Sequence, residues 1–338
     1  MKTETATHRA ELWRLINGYQ LTQALYVLAV LGILDRLAAG PMSAAQLADA
    51  VGAQEAPLYR VLRAAAAVGV LEERPGHVFA STELGDGLRS DADGSLAGWA
   101  AFVGRPYHQA SWARLIDGVR TGKNPFELEF GTDIWSYRRQ HPEETAIFNR
   151  AMNSLSGTAS DAIVSAYDFS RYRLVVDVGA GSGDMLIAIC RRNPAVRGVL
   201  FDQPHVVADS KRYVDDAGMT DRIELVGGSF LEGAPAGGDA YVVKAVLHNW
   251  QDDDARRILA SCHTAMGTAS ADLLVIERLV PGPNEGAEIK LMDLNMFVGP
   301  SAYERSQEEW MRLLDSAGFR MRRIVPVGNL TVIEAERA

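Results

Sequence analysis

Near the middle of the chain, Leu174-Val175-Val176-Asp177-Val178 runs directly into Gly179-Ala180-Gly181-Ser182-Gly183, and Asp184-Met185 follows. An apolar, β-branched run that ends in a glycine turn and opens a helix fits the edge of an open α/β sheet. Ligands of such sheets sit outside the carboxyl ends of the strands. The alternation continues, with short apolar strands expected over 199–201, 223–226, 241–246 and 273–276, then a terminal pair over 324–327 and 330–335. Near-continuous Val/Ile/Leu strands separated by helices predict a doubly wound, Rossmann-like sheet covered on both faces.

The first third reads differently. Between residues 11 and 37, Leu12, Leu15, Ile16, Tyr19, Leu25, Leu28, Leu31 and Leu34 recur at helical spacing, and the face they make is wider than one domain contact needs. A subunit interface is expected there. Ser43 is placed to cap a helix after Gly40-Pro41, a second helix is expected over 57–68, and two short strands flank Pro75-Gly76. Helix, helix and hairpin give a winged-helix outline. Its second helix offers only Arg60 and Arg63, whereas reading a DNA groove needs several basic and polar side chains, so a dimerisation scaffold is expected ahead of a ligand-responsive regulator. The expected organisation is a mainly helical winged-helix dimerisation domain over 1–97, an aromatic-rich helical linker contributing to a substrate pocket over 98–167, and the Rossmann-like catalytic domain over 168–338.

A formal charge of −9 disfavours a nucleic-acid partner, which needs clustered Lys and Arg, and points to a small molecule. Cys190 and Cys262, each inside an apolar helical pattern, read as buried thiols. The apolar stretch over 24–34 is far shorter than the ~20 residues that span a bilayer. With no signal-type N-terminus, a cytoplasmic location and no membrane partner are expected.

The glycine loop then has to be assigned a ligand. A dinucleotide fingerprint needs a third glycine where this chain has Asp184, and Asp177 before the loop would repel a pyrophosphate. A cationic ligand suits these acids better, which points to S-adenosylmethionine, with its amino group and sulfonium and no phosphate. Asp202, at the end of the second strand, is placed to accept hydrogen bonds from both ribose hydroxyls, or is simply a turn residue before Gln203-Pro204. After the third strand, Phe230 is placed to stack on adenine and Ser229 to bond its amino group, although an ordinary turn would look similar.

The fourth strand leads into Leu247-His248-Asn249-Trp250, putting His248 at the active edge. A hydroxyl attacking an electrophilic methyl must lose its proton, and imidazole titrates in the right range to collect it. Glu277, ending the fifth strand, is placed to bond one imidazole nitrogen and orient the other, or to form a strand-end ion pair with an arginine. No His/Asp/Glu cluster has tight metal-ligand spacing in the sequence, so no metal is expected. Asp252, Asp253 and Asp254 read as helix cap and first-turn acids.

Together, Asp177 to Gly183, Phe201-Asp202-Gln203-Pro204, Gly227-Gly228-Ser229-Phe230, Leu247-His248-Asn249-Trp250 and Glu304-Arg305-Ser306-Gln307-Glu308-Glu309-Trp310 leading to Ala317-Gly318-Phe319 resemble the plant-type, metal-independent small-molecule O-methyltransferases and their bacterial natural-product relatives. The resemblance covers nearly the whole chain. It implies a base at His248 oriented by Glu277 and Glu304, and cofactor contacts at Gly179, Gly181, Asp202, Ser229, Phe230 and Lys244, with Asp177 and Ser156 beside them. It also implies substrate contacts at Phe148, Met152, Asn249, Asn295 and Met296, and a homodimer built by the N-terminal domain. The chain departs from the family at Ser229 and Asn249, each usually aspartate in relatives, and in the altered segment Gly299-Pro300-Ser301-Ala302-Tyr303 before Glu304. The expected reaction is methylation of a hydroxyl on a small aromatic, phenol- or polyketide-like secondary metabolite. The alternatives are N-methylation, or use of a bound cofactor as a structural element for hydroxylation or decarboxylation.

Overall fold

The computed structural model describes residues 2–268 and 270–338, with the side chains of 2–6, 153 and 155–158 outside the description. The chain divides into two compact units, Met1–Ala113 with Ser136–Leu155, and Arg114–Trp135 with Ser156–Ala338. The stretch 98–167 is thus shared between them.

The first unit begins with α1 (Lys2–Ile16), α2 (Gly18–Val30) and α3 (Ile33–Leu37). The expected continuous helical run is broken at Asn17, whose backbone leaves helical geometry, and at Gly32, which turns left-handed at φ 63°. The breaks divide the wide apolar face. Leu28, Ile33 and Leu34 enter a core with Leu47, Leu62 and Phe79, while Leu12, Trp13, Leu15, Ile16 and Tyr19 stay exposed. There follow β1 (Met42–Ser43), α4 (Ala44–Val51), α5 (Glu55–Ala67), β2 (Leu71–Arg74) and β3 (Val78–Ser81). Ser43 caps α4 in a reciprocal capping box with Gln46. The wing has one strand more than the expected hairpin, in the order β1-β3-β2. Helices α6 (Glu83–Asp86), α7 (Ala97–Val103) and α8 (Pro106–Ala113) complete this part. Helices α9 (Leu115–Thr121) and α10 (Pro125–Phe130) belong to the second unit, and α11 (Ile134–Gln140) and α12 (Pro142–Ala166) carry the chain between units.

The second unit alternates β4 (Leu174–Val178), α13 (Asp184–Arg192), β5 (Arg197–Asp202), α14 (Pro204–Asp216), β6 (Ile223–Gly227), β7 (Ala240–Lys244), α15 (Asp252–Met266) and β8 (Asp272–Glu277). It closes with β9 (Leu279–Val280), α16 (Ala287–Val298), β10 (Arg305–Ser306), α17 (Gln307–Ser316), β11 (Phe319–Val327) and β12 (Leu330–Arg337). The seven-stranded sheet runs β11-β12-β8-β7-β4-β5-β6. Strands β8, β7, β4, β5 and β6 are parallel, and β12 joins β8 antiparallel. Successive side chains point to opposite faces. One apolar cluster accordingly takes Val175, Leu200, Val242 and Leu274, and the other takes Val176, Val199, Tyr241 and Leu273. Strand order reverses between β4 and β7, so their carboxyl ends flank the crevice where such sheets bind ligands. Cys190 and Cys262 are buried free thiols, as their apolar context predicts. Among the described residues no helix is long and apolar enough to cross a membrane.

Candidate active site

At the end of β4 the chain turns through three left-handed glycines, Gly179 (φ 76°), Gly181 (φ 56°) and Gly183 (φ 85°). Side chains disfavour this region, which is why the turn is written in glycine. The Gly181 peptide is fixed from both sides. Its N–H donates to Asp202 Oδ2 at 2.9 Å, and its carbonyl accepts from the Ser210 hydroxyl at 2.5 Å. A Cβ on Gly179 would come within 2.7 Å of Val246 Cγ2, whereas one on Gly181 would meet nothing within 4 Å. The loop is crowded at its root and open at its crown.

Two carboxylates stand at this edge. Asp202 also accepts from the Gln203 N–H at 2.7 Å, so it shapes the loop and its own turn. A carboxylate oxygen keeps a second lone pair, which leaves the ribose role compatible with these bonds. Asp177 is buried, and its Oδ2 has no hydrogen-bond partner among the described residues. Burial pushes its carboxyl up to about 7, against the pull of Lys244 on β7, while Asp202 and Asp184 add to the rise. Burial likewise lowers Lys244, with Asp177 opposing. A buried, unpartnered acid beside a glycine crown fits a ligand carrying positive charge.

The expected fourth strand, 241–246, stops at Lys244 because Ala245 turns left-handed at φ 55°. A single 3₁₀ turn, Leu247–Asn249, follows. Glu277, from the end of β8, holds it. Its Oε1 accepts from the Leu247 and His248 N–H groups at 3.0 and 3.4 Å, and its Oε2 lies 2.6 Å from His248 Nδ1. A carboxylate partner places the proton on Nδ1 and leaves Nε2 with a free lone pair. Burial disfavours the His248 imidazolium, but Glu277 and Glu304 together hold its pKa above the ordinary imidazole range.

Glu304 arrives by a route the strand pattern did not reveal. The parallel pair β9–β10 sets Arg305 opposite Leu279, and Glu304 Oε1 consequently lies 3.6 Å from Arg278 Nη1. Neither Glu304 oxygen has a hydrogen-bond partner among the described residues. Burial raises its pKa, with His248 opposing. One ligand atom from each of His248, Glu277 and Glu304 lies within 4.8 Å of the others, close enough to hold a metal ion. Spacing along the chain does not register this group, which the fold assembles from three separate segments.

Arg305 follows Glu304 in the same motif. It is fully buried, donates to the Leu247 and Trp250 carbonyls at 3.0 and 2.8 Å, and pairs with Asp252 at 2.8 Å. The faces of Tyr303 and Trp310 lie 4.4 and 5.2 Å from its guanidinium carbon. These flanking aromatics are the one sequence hint of a buried arginine. Asp252, Asp253 and Asp254 all fall in the first turn of α15, and the cap position belongs to Gln251, which makes no side-chain cap bond.

The other expected residues are distributed as follows. Phe230 meets Trp250 edge-on with centroids 5.8 Å apart, and the Ser229 carbonyl accepts from the Glu232 N–H at 2.9 Å. Asn249 Nδ2 donates to the Ala245 carbonyl at 3.3 Å. Asn295 and Met296 lie in the last turns of α16, where the Met296 carbonyl accepts from the Ala302 N–H at 3.1 Å. Phe148 and Met152 belong to the first unit, where Phe148 lies 3.6 Å beneath the Arg138 guanidinium. Ser156 lies outside the described side chains.

The O-methyltransferase domain family matches residues 112–320, and the O-methyltransferase dimerisation domain family matches residues 13–91. A phenazine O-methyltransferase of Lysobacter antibioticus is 40% identical over 325 residues, 96% of this chain and 95% of that one. An 8-amino-8-demethylriboflavin N,N-dimethyltransferase of Streptomyces davaonensis is 35% identical over 91% of this chain and 89% of its own. An O-methyltransferase from neocarzinostatin biosynthesis, solved with S-adenosylmethionine and 2-hydroxy-5-methyl naphthoic acid, superposes with a TM-score of 0.82 at 32% identity, covering 94% of this chain and 96% of that one.

Proposed function

Because the chain belongs to the S-adenosylmethionine-dependent O-methyltransferases of bacterial secondary metabolism, we propose that it methylates a hydroxyl of a small aromatic metabolite with His248 as general base. The observation that carries this reading is the 2.6 Å contact between His248 Nδ1 and Glu277, which leaves Nε2 to accept a proton. The cofactor, when bound, supplies a methyl group on a sulfonium that departs as a neutral thioether. The loop from Gly179 to Gly183 with Asp177, Asp202, Ser229, Phe230 and Lys244 receives it. Asn249 lies next to the base in sequence and is assigned to the substrate hydroxyl, with Asn295 and Met296 as further substrate contacts. Glu277 orients the imidazole and favours its charged form, and Glu304 adds negative potential. As the substrate oxygen forms its bond to the methyl carbon, His248 takes the hydroxyl proton.

Replacing the base with His248→Ala is expected to keep cofactor affinity while turnover on a panel of phenols falls about 10²–10⁴-fold, the usual contribution of general base catalysis. Full turnover in that variant sinks the base assignment. Nuclear magnetic resonance of the products formed from aminophenols separates O-methylation from N-methylation, the activity named for one of the relatives. Tight cofactor binding with no methylated product favours a structural use of the cofactor.

A homodimer through the N-terminal region is part of this reading. Its support is the matched dimerisation domain and the exposed Leu12, Trp13, Leu15, Ile16 and Tyr19 on α1 and α2. Leu12→Asp with Ile16→Asp is expected to shift the mass measured by sedimentation to that of the monomer, and an unchanged dimer refutes it.

A further inference from the structure

Three charged residues lie at or one short of the ends of three adjacent strands, on the same sheet face. Val175, Leu200 and Val242 share one apolar cluster, and the register sets Asp177 beside Leu200 and Val242. Two residues on from Val175, Leu200 and Val242, alternation puts Asp177, Asp202 and Lys244 on that same face at the carboxyl edge. Asp202 has its carboxylate tied to two N–H groups. Asp177 is different: it is 1% exposed, and its Oδ2 has no hydrogen-bond partner among the described residues. The charged groups that act on it are Lys244 from β7, Asp202 from β5 and Asp184 from the first turn of α13. The rest of that face is the apolar cluster.

A buried acid whose Oδ2 has no hydrogen bond to fix its charge responds to a change in nearby charge. Transfer of the methyl group changes the charge of the bound nucleoside by one unit, from sulfonium to thioether. We infer that Asp177 discriminates S-adenosylmethionine from S-adenosylhomocysteine through its own protonation, ionised beside the sulfonium and taking up a solvent proton once the product is formed. This rests on the cofactor reading of the loop. The sign follows from linkage. A neighbouring cation favours the carboxylate, so the Asp177 pKa lies lower in the sulfonium complex than in the product complex. Below both values the acid is neutral in both complexes and gives no preference. As pH rises through them, the preference for the charged ligand grows, then levels off. Burial already pushes the carboxyl up to about 7, which sets the window around neutrality.

The test measures dissociation constants by calorimetry from about pH 5.5 to about pH 8.5, spanning that window. The probes are S-adenosylmethionine, S-adenosylhomocysteine and a truncated pair, 5′-deoxy-5′-(dimethylsulfonio)adenosine and 5′-deoxy-5′-methylthioadenosine. The truncated pair differs only by the sulfonium methyl and carries no amino or carboxyl group to titrate. In the native protein the preference for the sulfonium member is expected to rise about tenfold across the range, the factor that one pKa unit of coupling carries. In Asp177→Asn it is expected to be flat. Lys244→Met provides a second variant, in which loss of the cation moves the rise to higher pH. A flat preference in the native protein, or a rise that persists in Asp177→Asn, overturns the inference while leaving the cofactor site intact. Failure of all four probes to bind at any pH overturns the cofactor reading, and this inference with it.

Discussion

The glycine loop after β4 and the histidine turn after β7 are neighbours on one sheet edge, yet they are built by opposite means. The loop bends because Gly179, Gly181 and Gly183 adopt left-handed backbone at no side-chain cost. The turn bends through Ala245, a residue that disfavours φ 55°, and holds that shape through anchors thirty and more residues away. Glu277 accepts from its N–H groups on one side, and Arg305 donates to its carbonyls on the other. The loop has remote bonds too, from Asp202 and Ser210 to the Gly181 peptide, but its glycines adopt the bend without strain, whereas the histidine turn needs its anchors to hold a strained residue.

That contrast is most exposed at Arg305. Arg305→Met leaves the Leu247 and Trp250 carbonyls without their donor, and is expected to cost about 2 kcal/mol, chiefly from those unsatisfied carbonyls, because the half-exposed Asp252 carboxylate is rehydrated by solvent. Thermal melting should fall by several degrees, and turnover should fall with cofactor affinity retained. Unchanged melting and unchanged turnover break the idea that the turn depends on remote anchors.

Next in size is Glu277→Gln, expected to lower turnover about 10²-fold, within the range for general base catalysis. Its pH dependence sharpens the comparison. If His248 is the base proposed above, it must be neutral to accept a proton, and activity is expected to rise with pH through its pKa, which Glu277 and Glu304 hold above the ordinary imidazole range. Removing the Glu277 charge lets burial dominate, and the rising limb should move to lower pH as the plateau drops. A limb that stays in place assigns the titration to another group.

Within the loop, Gly179→Ala meets both a left-handed backbone and Val246 Cγ2 at 2.7 Å, and Gly181→Ala meets only the backbone. The expected costs are about 2 and about 1 kcal/mol, the second being the ordinary left-handed penalty. Melting curves with and without cofactor separate them, and equal costs refute the crowded root. The smallest effect is a gain. Ala245→Gly relieves the strained residue and should stabilise the protein by about 0.5 kcal/mol, since glycine's chain entropy offsets part of the relief. A loss of stability there shows that the Ala245 side chain packs usefully.

Several elements were legible in advance for reasons that can be stated residue by residue. Ser43 caps α4 because its hydroxyl reaches a helix N–H three residues on, with Gln46 reciprocating. The parallel strands were readable because a strand buried on both faces needs apolar residues at every position. Strand ends and helix breaks were less visible. Ala245 at the end of β7 carries no side chain that signals a break, whereas Asn17-Gly18 is a local turn signal that the apolar periodicity running through it masks.

By itself the sequence determined the alternating sheet, the glycine loop and the acids at its edge, all of which follow from neighbours in the chain. Cofactor chemistry was therefore readable from a dozen consecutive residues. The tertiary structure decided the rest of the site: that β8 lies beside β7 and brings Glu277 to His248, that β9–β10 pairing delivers Glu304, and that Arg305 is buried against the histidine turn. Those contacts join residues 26 to 58 positions apart. Their pairing is set by sheet order and register, which depend on the whole chain packing at once.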